Sequence, residues 1–362
     1  TEEPCWRSGR TIAIEARERA MKHPWANMFI LLIATGSVVT GYYAFVAAEP
    51  EQAWQTSAHR AAGLAVVAVL VWKVPNLVRP LKRRWGRWTG QDWVAVGALS
   101  LLLTDIMLGV AWSHIGRFSY LGSSGMTWHA LLVFLIVPMI VWHLARYRKL
   151  LRPRYWAERR SVLRLGGLAL AGTVLWQIGA RIDGVTGIAQ AKRFTGSYAA
   201  GDFTGNAFPT TSWLNDRLEP IDRQTWTLTI DGAVDAPQTI GYDDVTGTEE
   251  ETVVLDCTGG WHSTQTWRGV RLGELLARAR PQTSAASITV TSATGYYRRF
   301  GLRHAEGLLL ATHVGGERLS HGHGAPVRLV VPGKRGFEWV KWVTWIEVNT
   351  TGAWLQPPLP LQ

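Results

Sequence analysis

The sequence predicts two unlike halves: an N-terminal all-α transmembrane helical bundle of five spans, then a C-terminal α+β domain. Three observations carry this. Residues 1–182 hold long apolar runs, whereas residues 183–362 have the composition of an ordinary soluble domain with short β-rich runs. The basic residues are grouped in alternate connections between the apolar runs. The length of 362 residues suits about two domains. The expected division is 1–157 for a four-helix membrane domain, 158–182 for a signal-like anchor and fifth helix, and 183–362 for a domain outside the membrane.

A helix needs roughly 20 apolar residues to cross the hydrocarbon core. Five segments qualify, at about Trp25–Ala48, Ala58–Val78, Asp92–Trp112, Thr127–Arg146 and Leu163–Ala180. The connection after the second carries Lys73, Arg79, Lys82, Arg83, Arg84 and Arg87. The one after the fourth carries Arg146, Arg148, Lys149, Arg152, Arg154, Arg159 and Arg160. The other two hold Glu49 and Glu51, and Arg117. The net charge of +11 therefore follows membrane topology rather than a nucleic-acid face. Cytoplasmic loops are the positive ones, so the N-terminus is expected inside and everything after the fifth span outside. Tryptophans near the span ends fit an interfacial belt. Cys5 and Cys257, far apart in sequence, make no disulfide framework.

Four histidines fall near span ends. His59 and His129 open the second and fourth spans at the outer face, and His23 and His143 mark the inner face. His129 and His143 lie about 21 Å apart along one helix and share a face within about 40°. Imidazoles facing a bundle interior at two depths are what two bis-histidine b hemes require, pairing His59 with His129 and His23 with His143. His114 is an alternative outer ligand, and plain interfacial histidines are the structural alternative. Asp105, ionisable within the third span, is either functional or a hydrogen-bonded structural group. The strings "HRAAGL" and "WHALLVFLIVPMIVWHLARY" resemble the bacterial cytochrome b561 type of membrane anchor over about residues 20–147.

Arg159-Arg160-Ser161-Val162-Leu163-Arg164 followed by a Gly/Ala-rich apolar stretch looks like a twin-arginine export signal. The alternative is a basic cluster before an ordinary helix. About Ile182 to Ala200 reads as a linker.

In the second half, "QTWTLTI", "TVVLD", "SITVTS", "PVRLVVP" and "VKWVTWIEV" read as strands and "RLGELLARA" as a helix. Cys257 ends one strand and enters the glycine-rich turn "CTGGW". A thiolate there suits a soft metal, although a buried structural cysteine fits the residues equally well. The strings "VVLDCTGGWHSTQTWRGVRLGELL", "HGAPVRLVVPGKRGFEWVKWVTWIEV" and "FTGNAFPTTSW" resemble the sulfite oxidase superfamily over about residues 194–350. That resemblance implies a sulfite-oxidase-type fold and a molybdopterin cofactor. It makes Cys257 the molybdenum ligand, His323 and Arg328 pterin and phosphate contacts, and Lys341 a phosphate contact. It places Trp339 at a cofactor-donating position and Asn206 near the pterin. Two departures point to the short, methionine-sulfoxide-reductase-like branch: "TGGWHS" replaces "AGNRR" after the cysteine, and no tyrosine follows Lys341. Trp261 and His262 are the candidate catalytic groups beside Cys257. Tyr296, Tyr297, Arg298, Arg299 and His304 are further candidates.

The combined expectation is a molybdenum-dependent oxidoreductase in the bacterial inner membrane with its catalytic domain in the periplasm. It would exchange electrons through two b hemes with the quinone pool, and act on a small S- or N-oxide or an oxyanion. An electron-relay or non-catalytic subunit of a larger respiratory assembly is the alternative.

Overall fold

The computed structural model describes residues 25–83, 85–147, 159–187, 192–212 and 218–357. The chain divides into two compact units, Thr1–Gly196 and Ser197–Gln362.

Unit 1 is built from α1 (Trp25–Val46), α2 (Ala53–Arg83), α3 (Gly90–His114), α4 (Gly125–Tyr147) and α5 (Arg159–Thr186), with a small ribbon of β1 (Ser119–Tyr120) and β2 (Ser123–Ser124) between α3 and α4. Each of the five helices contains a stretch long and apolar enough to cross a membrane. Their outward faces are apolar as well: Val71, Met107, Leu135 and Leu170 are all exposed. A helix surface of this kind suits lipid rather than water. Helix α2 packs on α1 and on α5, and α3 packs on α4. At the α2–α5 crossing a Cβ on Gly172 would stand 2.3 Å from the Ala61 carbonyl oxygen. The glycine is what lets the two backbones touch, as small residues do between membrane helices.

Two expectations change here. The second helix is longer than the expected Ala58–Val78: it starts at Ala53 and runs through Pro75 and Pro80 to Arg83. Lys73, Arg79, Lys82 and Arg83 are therefore helical rather than in a loop, and Lys73 donates to Asn27 Oδ1 at 2.5 Å. Proline removes one donor per site, which neighbouring groups in such a bundle can make good. The expected linker from Ile182 is also shorter. Helix α5 continues to Thr186, and the strand following it begins at Tyr198. Lys192 pairs with Asp183, Arg193 donates to the Ala48 carbonyl, and Trp112 Nε1 donates to the Gly196 carbonyl at 2.8 Å. These bonds attach residues 192–196 to the helices, so the unit ends at Gly196 and not at residue 182.

Unit 2 is α+β, with two sheets around one core. The first sheet runs β11 (Glu317–Arg318), β10 (Leu309–Val314), β7 (Trp261–Arg271), β3 (Tyr198–Ala199), with β12 (Arg328–Val330) on β10 and β6 (Glu249–Cys257) on β7. The second runs β5 (Gln238–Gly241), β4 (Thr227–Gly232), β13 (Val343–Asn349), β8 (Ser287–Ser292), β9 (Tyr297–Gly301). Helix α6 (Leu272–Ala279) inserts Leu272, Leu275, Leu276 and Ala279 into the core, a spacing of one helical face. A short α7 (Leu302–Ala305) follows β9. Strands β4, β6, β8, β12 and β13 and helix α6 were legible as runs; β7, β9 and β10 were not. The predicted strand over "VKW" is irregular instead. Trp342 sits at φ +51°, which breaks the strand before Val343 and frees Lys341 from the ladder.

The first sheet has no room at Gly269. A Cβ there would lie 1.9 Å from the Leu310 carbonyl oxygen of β10. At Gly301 nothing lies within 4 Å. Gly269→Ala is expected to destabilise unit 2 by about 3 kcal/mol, since neither backbone can yield without opening the β7–β10 ladder. Gly301→Ala should stay within about 0.5 kcal/mol of wild type. Chemical denaturation of the solubilised chain, followed by tryptophan fluorescence, compares the two; equal stability would remove the packing argument.

Candidate functional site

The β6–β7 hairpin is the foundation of the site in unit 2. Cys257 and Trp261 are paired across its end, and the Gly260 N–H returns to the Cys257 carbonyl at 3.1 Å with Gly260 at φ +87°. Only glycine adopts that turn without strain. Beneath the thiol, Asp256 and Arg335 are both buried. Arg335 Nη1 lies 3.2 Å from Asp256 Oδ1 and Nη2 donates to the Cys257 carbonyl at 3.1 Å. Ser197 Oγ donates to Asp256 Oδ1 at 2.6 Å. The cysteine backbone is thus held from two sides. Its Sγ accepts from the Gly259 N–H at 3.3 Å. Burial pushes the thiol pKa up, opposed by the Gly259 and Thr211 hydrogen bonds and the Arg335 charge.

Cys257 opens into a cavity of about 700 Å3, part of it shared with solvent. Four segments build its wall: residues 209–212, the hairpin end at Cys257, Thr258 and Trp261, the stretch from His323 to Arg328, and Gly336 to Trp342. Arg328 is 3% exposed, with its guanidinium carbon 5.3 Å from the Trp267 ring centre and 5.5 Å from that of Trp339. Its Nη1 donates to the His323 carbonyl at 3.0 Å, but its Nε is buried with no hydrogen-bond partner. Burial lowers its pKa to about 10, opposed by the Cys257 charge. No carboxylate is ion-paired with Arg328 among the described residues. Lys341 Nζ donates to the Gly322 carbonyl at 2.6 Å. Gly324, at φ +109°, allows both cations to approach: a Cβ there would sit 3.1 Å from Lys341 Cβ and 3.2 Å from Arg328 Cβ.

Of the residues expected from sequence, Cys257, Trp261, His323, Arg328, Trp339 and Lys341 line this one cavity. Their roles differ from expectation in part. His323 has both ring nitrogens engaged: Nε2 donates to the Phe208 carbonyl at 3.0 Å and Nδ1 accepts from Ser320 Oγ at 2.7 Å. Its pKa is lowered to about 4, first by burial and then by Arg328 and Lys341, with the Phe208 bond opposing. It lines the cavity with its ring and offers its backbone carbonyl to Arg328. Trp339 Nε1 donates to the Lys334 carbonyl at 3.1 Å, so the ring and not its N–H faces the cavity.

Asn206 does not line the cavity. Its amide donates to Glu317 Oε2 and the Arg318 carbonyl and accepts from the Ser320 N–H, which braces the loop carrying His323. His262 is also elsewhere. Side chains alternate along β7, so with Trp261 on the cavity side His262 faces away, donating from Nδ1 to the Ser197 carbonyl at 3.2 Å. Of the further candidates, Tyr296 reaches the cavity and its hydroxyl donates to the Phe337 carbonyl. Arg298 is paired twice with Glu338, and Arg299 with Thr289, Thr351 and Asn349. His304 packs on Phe300. Sequence reasoning missed Arg335, Thr211 and Thr258, although each lay inside a quoted motif.

Unit 1 brings together one histidine pair. The rings of His59 on α2 and His129 on α4 stand 5.8 Å apart, inclined at 53°. Each Nδ1 donates to a carbonyl, His59 to Ser37 at 2.9 Å and His129 to Asp105 at 3.0 Å, so the neutral rings carry their lone pairs at Nε2. Asp105 Oδ1 is 2.9 Å from the same Nδ1 but out of line with the N–H. Glycines make room for both rings: a Cβ on Gly41 would lie 3.0 Å from His59 Cε1, and one on Gly109 3.2 Å from His129 Cε1. His114, the alternative ligand, is bound by Asp183 instead. His23 lies outside the described residues, as do Cys5 and the His143 side chain.

Known proteins share the second unit. Residues 216–353 match the family described as oxidoreductase molybdopterin binding domain. The catalytic subunit MsrP of the protein-methionine-sulfoxide reductase of Xanthomonas axonopodis pv. citri is 32% identical over 157 residues, covering 36% of this chain and 49% of that protein. The NADPH nitrate reductase of Beauveria bassiana is 30% identical over 156 residues, covering 34% of this chain and 17% of that one. The crystal structure of the sulfane dehydrogenase SoxCD of Paracoccus pantotrophus is 26% identical, with a TM-score of 0.35 and coverage of 37% of this chain and 40% of its own. The chain therefore spans about half the length, or less, of these curated relatives. The match to the oxidoreductase molybdopterin binding domain thus falls on the stretch of chain that holds the buried thiol of Cys257 and the orphaned Nε of Arg328.

Proposed function

We propose that this protein is a membrane-bound molybdenum oxidoreductase that reduces, or in reverse forms, small neutral S- or N-oxides. The observation that carries it is Arg328: a buried guanidinium with an orphaned Nε, beside Lys341 and in the same cavity as the Cys257 thiol. A planar, donor-rich cation that the protein leaves unpaired suits a phosphate or a pterin edge. Among the described residues no three His, Cys, Asp or Glu side chains cluster to hold a metal. A metal at Cys257 therefore needs most of its ligands from an organic partner, which a pterin dithiolene supplies. When bound, that group provides two-electron oxo-transfer chemistry.

The chain's own residues then divide the work. Cys257 supplies one thiolate, fixed by Arg335 and Asp256. Arg328 and Lys341 hold the anionic end of the cofactor. His323, kept neutral, orients Arg328 through its carbonyl. The remaining wall, with Thr258, Trp261, Tyr296 and Trp342, carries no formal charge. With both cavity cations assigned to the cofactor, an oxyanion has no charged partner at the substrate end, so a neutral oxide is favoured. Cys257→Ser is expected to lower turnover of a sulfoxide by at least about 100-fold, because the metal loses its soft ligand. Reduced-viologen oxidation by the purified chain reads this, and wild-type turnover in the variant refutes the ligand assignment.

In unit 1 the reading is a b heme between His59 and His129. With metal–imidazole bonds of about 2 Å, two ligating rings have centres roughly 6 Å apart. The rings at 5.8 Å, with both Nδ1 protons given to carbonyls, match that tautomer and spacing. A second heme on His23 and His143 would lie deeper in the bundle, and the two together would exchange electrons with the quinone pool. His129→Ala and His143→Ala are each expected to lose about half of the reducible heme absorbance per chain; full heme in both variants excludes the two-heme reading.

The orientation follows from charge: the N-terminus is cytoplasmic and unit 2 lies outside, in the periplasm, delivered by the twin-arginine stretch at the start of α5. Protease added to intact spheroplasts should digest unit 2 and spare the Arg-rich connections. A protected unit 2 would reverse the topology.

A further inference from the structure

We propose that His114, Asp183 and Lys192 form a binding site for the headgroup of a lipid-soluble hydroquinone, with His114 taking its protons as electrons pass to the heme between His59 and His129. The inference rests on the heme reading and adds a place and a proton acceptor that it lacks.

Three side chains from different segments meet here. His114 is the last residue of α3, Asp183 lies in the last turn of α5, and Lys192 follows that helix. His114 Nδ1 donates to Asp183 Oδ1 at 2.7 Å, and Lys192 Nζ donates to Asp183 Oδ2 at 3.1 Å and to the Ser113 carbonyl. Asp183 is 4% exposed. Ionisable groups are costly in an apolar bundle, and their presence points to function. A simple clamp between α3 and the end of α5 is already made by Lys192, which donates both to Asp183 and to the Ser113 carbonyl. The imidazole adds something else. Its Nδ1 proton is bound to the carboxylate, so its lone pair stands at Nε2, which has no hydrogen-bond partner among the described residues. The side chain keeps 29% of its surface exposed.

The ring is also held in place. A Cβ on Gly179 would lie 2.6 Å from His114 Cε1 and 3.0 Å from Nε2, so the imidazole rests on the bare backbone of α5. Next to it in sequence, or beside Gly179 and Asp183 on α5, the exposed residues include Ile115, Ile178, Ile182 and Val185, together with Arg181. A lone-pair acceptor backed by a carboxylate, at the end of apolar helices, recognises an O–H donor on a lipid-soluble ring. The electron acceptor is near. Gly109, whose Cβ would meet His129, is on the same helix, about 7.5 Å along its axis from His114.

The reaction balances as follows. The first hydroquinone O–H bond to break would give its proton to His114 Nε2 and one electron to a ferric heme held by His59 and His129. The second O–H bond would give its proton and electron by the same route once that first electron has moved on. The products are a quinone, two protons and two electrons. The Asp183 carboxylate keeps its hydrogen bond at Nδ1 throughout, and the proton leaves from the exposed ring edge to water. In the opposite direction the same groups return protons to a quinone.

The test uses the full chain in lipid nanodiscs, with two variants: His114→Asn, which removes the acceptor, and Gly179→Ala, which displaces the ring and changes no polar group. Two quantities are read: the affinity of a fluorescent hydroxyquinoline N-oxide, a quinone-headgroup analogue, and the rate at which duroquinol reduces the heme. Both variants should bind the analogue at least about tenfold more weakly and slow heme reduction by a similar factor, while dithionite still reduces the full wild-type heme content. Wild-type affinity and rate in either well-folded variant overturn the proposal and leave the cluster as a helix clamp. If wild-type protein binds the analogue but has no reducible heme, the heme reading fails. The site is then judged on analogue binding alone, which both variants must weaken for it to stand.

Discussion

The contact between Arg335 and Asp256 fixes the rest of the site. It is buried, and it ties the segment before Trp339 and Lys341 to the strand that ends at Cys257. Because Arg335 also donates to the Cys257 carbonyl, one guanidinium sets the position of the thiol relative to the cavity wall. Buried ion pairs contribute little net stability, since desolvation offsets their attraction. Their value here is geometric. A parallel bridge between Asp256 and Arg335 joins the hairpin end to the 334–342 segment at the same place. Gly336 serves the same junction, since a Cβ there would sit 3.3 Å from Cys257 Cα.

Much of the architecture was legible because burial leaves a periodic signature. The five candidate spans are long apolar runs, and each coincides with a helix, the second and fifth helices being longer than expected. SITVTS is one strand, buried at every residue but Thr291. Helix α6 shows its apolar face in the spacing of Leu272, Leu275, Leu276 and Ala279. The misses have physical causes. Strand β7 has polar residues on both faces, with Ser263 and Gln265 buried and hydrogen-bonded to the Gly201 carbonyl, so it lacks an apolar rhythm. Strand β10 is buried throughout, and nothing in LLATHV separates it from a core helix.

At the site, position in the chain was legible and direction was not. Cys257, Arg328 and Lys341 came from motifs and do share a cavity. His262 was a good candidate by chemistry, but the two-residue period of a strand sends it away once Trp261 faces the thiol. Asn206 and His323 turned out to be linked through Ser320, a relation no spacing rule discloses because residues 206 and 320 are far apart in sequence.

The orphaned guanidinium of Arg328 has a consequence for the life of the chain before it works. A cation enclosed by Trp267 and Trp339, with an unmet donor, weakens the native state of whichever molecule lacks a filled cavity. A ligand that meets that donor binds only the folded form, and so raises its stability in proportion to the logarithm of ligand supply. Filled and unfilled copies then differ in how often they open, and a protease that samples open forms removes the unfilled ones first. The same arginine would serve both as part of the site and as a check on whether the site has been filled.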